Sequence, residues 1–101
     1  MRIEAVDPRT VRVSELEDLT AANAVPVKEA VRAALPPTCV LLDLELSRLV
    51  SVDSSGLGSL IALHRTLRLR GGTVRLIRPT ASLVQILELT RLHRLFEIVR
   101  Q

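Results

Sequence analysis

The sequence is poor in the residues that most often announce chemistry. It has one cysteine, one phenylalanine, no tryptophan or tyrosine, two histidines, four glycines and a single lysine among fourteen cations. A lone Cys39 cannot pair within the chain, so a disulfide framework and a cysteine metal site are excluded, and a reducing cytoplasm is the expected setting. Two histidines without clustered cysteines make no recognisable metal set, and no cofactor is expected. No run approaches the ~18–20 apolar residues that span a bilayer, and the first residues lack the apolar core of a signal peptide. No membrane association is expected. Phe96 alone supplies no aromatic platform on which bases could stack.

What is present is aliphatic: 48% of the 101 residues are hydrophobic and 25% charged, enough for one core and no second, so residues 1–101 read as a single domain. The net charge of +3 is unevenly spread. Residues 1–60 hold six cations and nine anions, whereas residues 61–101 hold eight arginines against Glu88 and Glu97. Clustered positive charge attracts phosphate backbones. These arginines scatter over several elements, however, so solvated helix faces are expected rather than direct nucleic-acid binding.

Alternation in "RIEAV" and "TVRVS", either side of the turn signal "DPRT", predicts an N-terminal β-hairpin. "ELEDLTAAN" is polar and irregular. Pro26 suits a first helical turn, and Val27, Ala30, Val31, Ala34 and Leu35 recur at helical spacing until "LPPT" stops the helix. "CVLLDLEL" is short, apolar and bounded by breakers, as a buried central strand would be. A second helix is predicted from Ser54 to about Arg70, ended by Gly71-Gly72. "TVRLI" is a strand, "RPT" opens a third helix through about Thr90, and "RLHRLFEIV" holds a short turn and a last strand. Strands alternating with helices imply crossovers. The fold class is α/β: a mixed, mostly parallel sheet with a leading hairpin, packed against amphipathic helices, its edges at the hairpin and the C-terminal strand.

The stretch "VSVDSSGLGSLIALH" concentrates the chain's chemistry. On a helical wheel with Ser55 at 0°, Leu57, Leu60, Ile61, His64 and Leu67 fall between about 120° and 240°, the expected core face. Ser55 then points away from the core, Ser54 sits at its buried edge, and Gly58, Ser59, Ala62 and Thr66 run down the exposed side as a groove of small residues. Hydrolysis fits poorly. Ser55 and His64 lie on opposite sides of the helix and roughly 13 Å apart along it, and "DSSGLG" lacks the glycine spacing of a nucleophile elbow. Gly56 and Gly58 lack the third glycine of a dinucleotide fingerprint, and no phosphate-loop lysine follows. Two readings stay open. The serines and glycines simply start a helix, or an exposed hydroxyl at a helix N-terminus, beside Asp53, accepts a phosphate that toggles partner docking.

The run "LVSVDSSGLGSLIALHRTLRLRGGTVRLIRPTASLVQILELTRLHRLFEI" resembles the STAS domain of bacterial anti-sigma-factor antagonists, and the resemblance extends over nearly the whole chain. It implies a protein that is not an enzyme but the phosphate acceptor of a partner switch. The second hydroxyl residue of the motif, here Ser55, with Ser54 the lesser candidate, takes phosphate from an ATP-dependent serine kinase that is also the anti-sigma factor. The dephosphorylated antagonist binds that kinase and frees the sigma factor, and a phosphatase resets the phosphorylated form. Partner contacts are expected at Asp18, Asp53, Ser54, Gly56, Gly58, Ser59 and Ala62. Glu45 stands where the family usually has aspartate. Three departures are visible: Glu15 replaces a usual glycine, the loop at Ala21–Val25 is about two residues longer, and Arg91 replaces the glycine that ends the third helix, which demands left-handed geometry there or a changed corner. STAS domains also serve as non-switching scaffolds or transporter accessory subunits, which is the alternative function.

Overall fold

The computed structural model describes every residue, Met1–Gln101. The Asp-Pro signal produces the expected hairpin: β1 (Arg2–Asp7) and β2 (Thr10–Ser14) pair antiparallel, and the Asp7 carboxylate accepts the Arg9 N–H at 2.8 Å to close the turn. The apolar run becomes β4 (Leu41–Glu45), the middle strand of a five-stranded sheet ordered β1-β2-β4-β6-β7, with β6 at Thr73–Ile77 and β7 at Glu97–Val99. Strands β2, β4, β6 and β7 pair in parallel, each step requiring a crossover through a helix.

Three helices supply those crossovers: α1 (Ala24–Ala34), α2 (Ser54–Arg68) and α3 (Ala81–Leu89). A short 3-10 helix, Leu92–Leu95, leads into β7. Each helix starts and stops where local chemistry dictates. Pro26 lies in the first turn of α1, where its missing N–H costs nothing. The Asp53 side chain caps α2 and that of Thr80 caps α3. Helix α2 ends through Gly71 at φ 71°, with Gly72 donating to the Leu67 carbonyl at 2.7 Å. Arg91 adopts the left-handed geometry its position demands, φ 62°, and so does Glu15, φ 59°. Arg78 does likewise at φ 49°, which nothing in the sequence had marked.

Alternation along the strands divides the sheet into two faces. Val11, Val13, Leu42, Leu44, Val74 and Leu76 are buried on one, together with Val31, Leu60, Leu63, Leu67, Leu83 and Leu87 from the helices. Cys39 is buried in the same cluster. On the opposite face the register lines up Glu4, Arg12, Asp43, Arg75 and Glu97, one residue per strand and alternating in sign. Asp43 is the hub: Arg75 meets its two oxygens at 2.7 and 2.9 Å, and Arg12 reaches one of them at 3.5 Å. Donating to Asp43 raises the Arg75 pKa above its ordinary value. The "polar and irregular" segment holds a feature the sequence reading missed: β3 (Asp18–Leu19) pairs in parallel with β5 (Ser51–Val52) as a separate two-stranded sheet. This small ladder sets the chain entering α1 beside the chain entering α2.

Candidate functional site

The site is built at that juncture. The Asp53 backbone is extended, and its carboxylate caps α2 by accepting the Gly56 N–H at 3.0 Å through Oδ1. Its other oxygen, Oδ2, accepts the Ala21 N–H at 3.0 Å. One side chain therefore fixes the start of α2 and the loop before α1 together. These backbone donors, Ala21 first and Gly56 next, hold the Asp53 carboxyl below its ordinary pKa. The loop is tied internally as well. Asn23 accepts the Thr20 N–H at 2.9 Å and donates to the Asp18 carbonyl at 2.7 Å, while Thr20 Oγ1 accepts the Ala22 N–H at 3.2 Å. Ala24 and Val25 already belong to α1, so the expected loop at Ala21–Val25 ends at Asn23.

The first turn of α2 differs from the wheel in one respect. Its buried residues are Gly56, Ser59, Leu60, Leu63 and Leu67, which with Ser55 at 0° occupy about 40° to 140°. The core face is thus rotated by roughly a quarter turn from the expected centre, because β3 and α1 cover the flank of α2 that carries Gly56 and Ser59. Three expectations are corrected by this rotation. Ser54 is not at the buried edge but exposed, nearly opposite the core. Ser59 is not on the exposed side: it is buried, with its hydroxyl donating to the Gly56 carbonyl at 2.7 Å. Ala62 and Thr66 are half-buried rather than lining an open groove. His64 leaves the centre of the core face for its margin, where its ring and that of Phe96 pack T-shaped with centroids 5.8 Å apart. Desolvation first, then Arg68 and Arg65, lower its pKa.

Gly56 is buried because it must touch backbone. A Cβ there would lie 1.9 Å from the Leu19 carbonyl oxygen, so only glycine lets β3 lie against α2. Gly58 is the opposite case, with nothing within 4 Å of a Cβ built on it. The two glycines of the motif therefore do different work: one closes the fold, the other leaves the surface bare.

Ser55 is exposed and sits on the lip of a cleft of about 270 Å³ between α1 and α2. Buried Ala24 and Ser59 form its floor, and Ala21, Val25, Lys28 and Gly58 complete the wall. That volume is below the roughly 300–1,000 Å³ of ordinary small-molecule pockets. It suits a side chain of a docking protein better than a metabolite. Val25, 62% exposed, and Val50, 82% exposed, add apolar surface on α1 and just before β5. Polar groups of the junction are engaged through Asp53, Thr20, Asn23 and Ser59, whereas the Ser54 and Ser55 hydroxyls are exposed and make no hydrogen bond within the chain.

The remaining candidates fall into place by element. Asp18 is exposed on β3, in register with Ser51, so it shares the Asp53 end of the molecule. Glu45 closes the end of β4 instead, accepting from the Ser47 amide and hydroxyl at 2.6 and 2.9 Å and from Arg78 at 3.2 Å. Burial alone would raise its pKa, but these donors together lower it. Lys28 was missed by the sequence reading. Its i, i+4 relation to Ala24 puts it on the cleft side of α1, a signal that becomes useful only once α1 is known to face Ser55.

No helix is long and apolar enough to cross a membrane. The family model described as "Mlab, STAS domain" matches residues 4–100. A protein from Thermotoga maritima, provisionally described as an anti-sigma factor antagonist, superposes with a TM-score of 0.85 at 25% identity, covering 99% of this chain and 86% of its own. The unphosphorylated anti-sigma factor antagonist SpoIIAA superposes with a TM-score of 0.77 at 18% identity, covering 97% of this chain and 86% of its own. The phosphorylated form of the Bacillus cell fate determinant SpoIIAA gives 0.76 at 19% identity, covering 97% and 89%. The two SpoIIAA likenesses concern the fold.

Proposed function

The chain belongs to the STAS domain family, and from that premise we propose that it is an anti-sigma-factor antagonist controlled by phosphorylation of Ser55. The observation that carries this reading is the position of Ser55: exposed, unbonded, in the first turn of α2 and on the lip of the only cleft that α1 and α2 share. A phosphoryl group there would add about −1.5 to −2 charges at a helix N-terminus, which favours anions without unfolding the helix. It would do so on a surface shared with Ala21, Val25, Gly58 and Lys28, adding a strong negative charge to a contact patch made mostly of small side chains. That SpoIIAA exists in phosphorylated and unphosphorylated forms supports the same chemistry on this fold.

In this reading residues 1–101 are one domain and the protein is a substrate and ligand, not an enzyme. Its partner is an anti-sigma factor that is also an ATP-dependent serine kinase, working in the cytoplasm. Unmodified antagonist occupies the kinase and releases the sigma factor. The phosphorylated antagonist is expelled until a phosphatase restores the hydroxyl. Asp18, Asp53, Ser54, Gly58 and the floor formed by Ser59 lie around Ser55 as the docking surface. Gly56 and Ala62 contribute by packing rather than by contact, a revision of their expected role.

The test is direct. Incubation with ATP and the cognate kinase adds one phosphate, mapped by fragment mass to Ser55 and abolished by Ser55→Ala. Because Ser54 is exposed as well, phosphate found mainly on Ser54 would overturn the assignment. Recovery of transporter subunits and no kinase in a pull-down would favour the scaffold reading instead.

A further inference from the structure

We propose that Lys28 is the intramolecular counter-ion of phosphorylated Ser55. The inference rests on the reading of Ser55 as the acceptor, and deepens it by saying how the modified state is held.

Lys28 is the chain's one lysine and the one cation on the wall of the Ser55 cleft. Its side chain is only 24% exposed, so much of it is packed against the protein where it lines the cleft beside Ser55. Its present partner is weak. Glu29 Oε1 stands 3.7 Å away on the adjacent residue, is 59% exposed and is shared with Arg32 at 3.8 Å. Exposed contacts of this kind contribute little. The other charged groups nearest the cleft are anionic: Asp53, whose two oxygens are held by Gly56 and Ala21, and Asp18 on β3.

A phosphoryl group on Ser55 would bring three acceptor oxygens to that ammonium. A charge-assisted hydrogen bond to a dianion outweighs one to a shared, exposed carboxylate. The flexible four-carbon stem of lysine lets the ammonium swing from Glu29 to the phosphate without moving α1. The pair would then bridge α1 and α2 over Ala24 and Ser59. Partner release would come from occlusion of the cleft as well as from charge, and the phosphate would be partly shielded from a phosphatase.

The test installs phosphoserine at position 55 by genetic encoding, so that no kinase is needed, and follows its second ionisation by phosphorus NMR in the full chain. The expected result is a pKa lower by roughly half a unit or more in the otherwise native protein than in Lys28→Met, as an opposite charge in hydrogen-bond reach requires. Lys28→Arg should retain the lowered value, and the phosphatase should act faster on the Lys28→Met form. Identical titrations with and without Lys28 would overturn the proposal. Failure of the cognate kinase to modify Ser55 would count against the acceptor reading alone, since the titration judges the Lys28 pair on protein made without it.

Discussion

The Asp53 carboxylate accepts the backbone N–H of Ala21 across 32 residues of sequence, at 3.0 Å, while its other oxygen caps α2 through Gly56. The loop that leads into α1 and the turn that carries Ser55 therefore share one anchor. Loss of this residue should loosen both at once. Asp53→Ala is expected to lower the melting temperature, as loss of an N-cap does, and to speed hydrogen exchange at Ala21 and Gly56 together. Faster exchange at Gly56 alone would show that the cross-chain bond to Ala21 contributes nothing.

The same anchor is sensitive to acid. Its folded pKa lies below the ordinary 3.8 because the Ala21 and Gly56 amides bond to the charged form. The sign follows: the unfolded chain takes up this proton first as pH falls. The stabilisation is complete above 3.8 and vanishes as pH drops through the lower folded value. A carbon NMR titration of the Asp53 carboxyl should give a midpoint below 3.8, and a midpoint at or above it would contradict the geometry.

Two glycines two residues apart should respond in opposite ways. Gly56→Ala drives a methyl into the Leu19 backbone and is expected to cost about 3 kcal/mol, at the top of the usual range for overpacking. Gly58→Ala meets nothing and should gain up to about 1 kcal/mol in helix propensity. If the Ser55 face docks the kinase, the same Gly58 methyl should weaken kinase binding even as it raises the melting temperature. Calorimetry and a binding titration on one purified variant decide both points.

Asp43 is the buried centre of the five-strand charge row, with 1% of its side chain exposed against 30% for Arg75. Removing one member of a fully buried pair costs about 3–5 kcal/mol. Here the stranded Arg75 can still reach water, so Asp43→Ala is expected to cost about 2 kcal/mol, measured by urea unfolding. If the Ser55 face docks a kinase, binding by the fraction that remains folded should be unchanged, because the row lies on the sheet and not at the α2 junction.

Arg91 holds a left-handed conformation that strains any residue with a Cβ. Arg91→Gly is expected to stabilise the fold by about 0.5–1 kcal/mol, the relief of strain outweighing the greater freedom glycine has when unfolded. An unchanged or lower melting temperature would show that the guanidinium side chain contributes more than its backbone costs.

How much of this was legible in the residues depended on the range of the cause. The hairpin, β4, β6 and all three helices follow from alternation, spacing and breakers within a dozen residues, and each stands within a few residues of its expected bounds. The β3·β5 ladder was illegible because two-residue strands have no period to detect. The rotation of α2 was missed for a related reason. A wheel assigns the core from leucine and isoleucine, whereas Gly56 and Ser59 are buried by what lies beside them, namely the Leu19 backbone and α1. Ser55 was singled out by its motif and by the wheel. Lys28 was not, since its proximity to Ser55 exists only in three dimensions.

Cys39 is fully buried, its Sγ directed at the Leu41 carbonyl, and no other thiol is present. A protein without tryptophan gives little fluorescence signal on unfolding, but this one carries a silent clock. A thiol reagent can reach that sulfur only when the packing around it opens, so the rate of labelling counts those openings in water, with no denaturant added. The unmodified protein and a form carrying phosphoserine at position 55 can be timed against each other in this way.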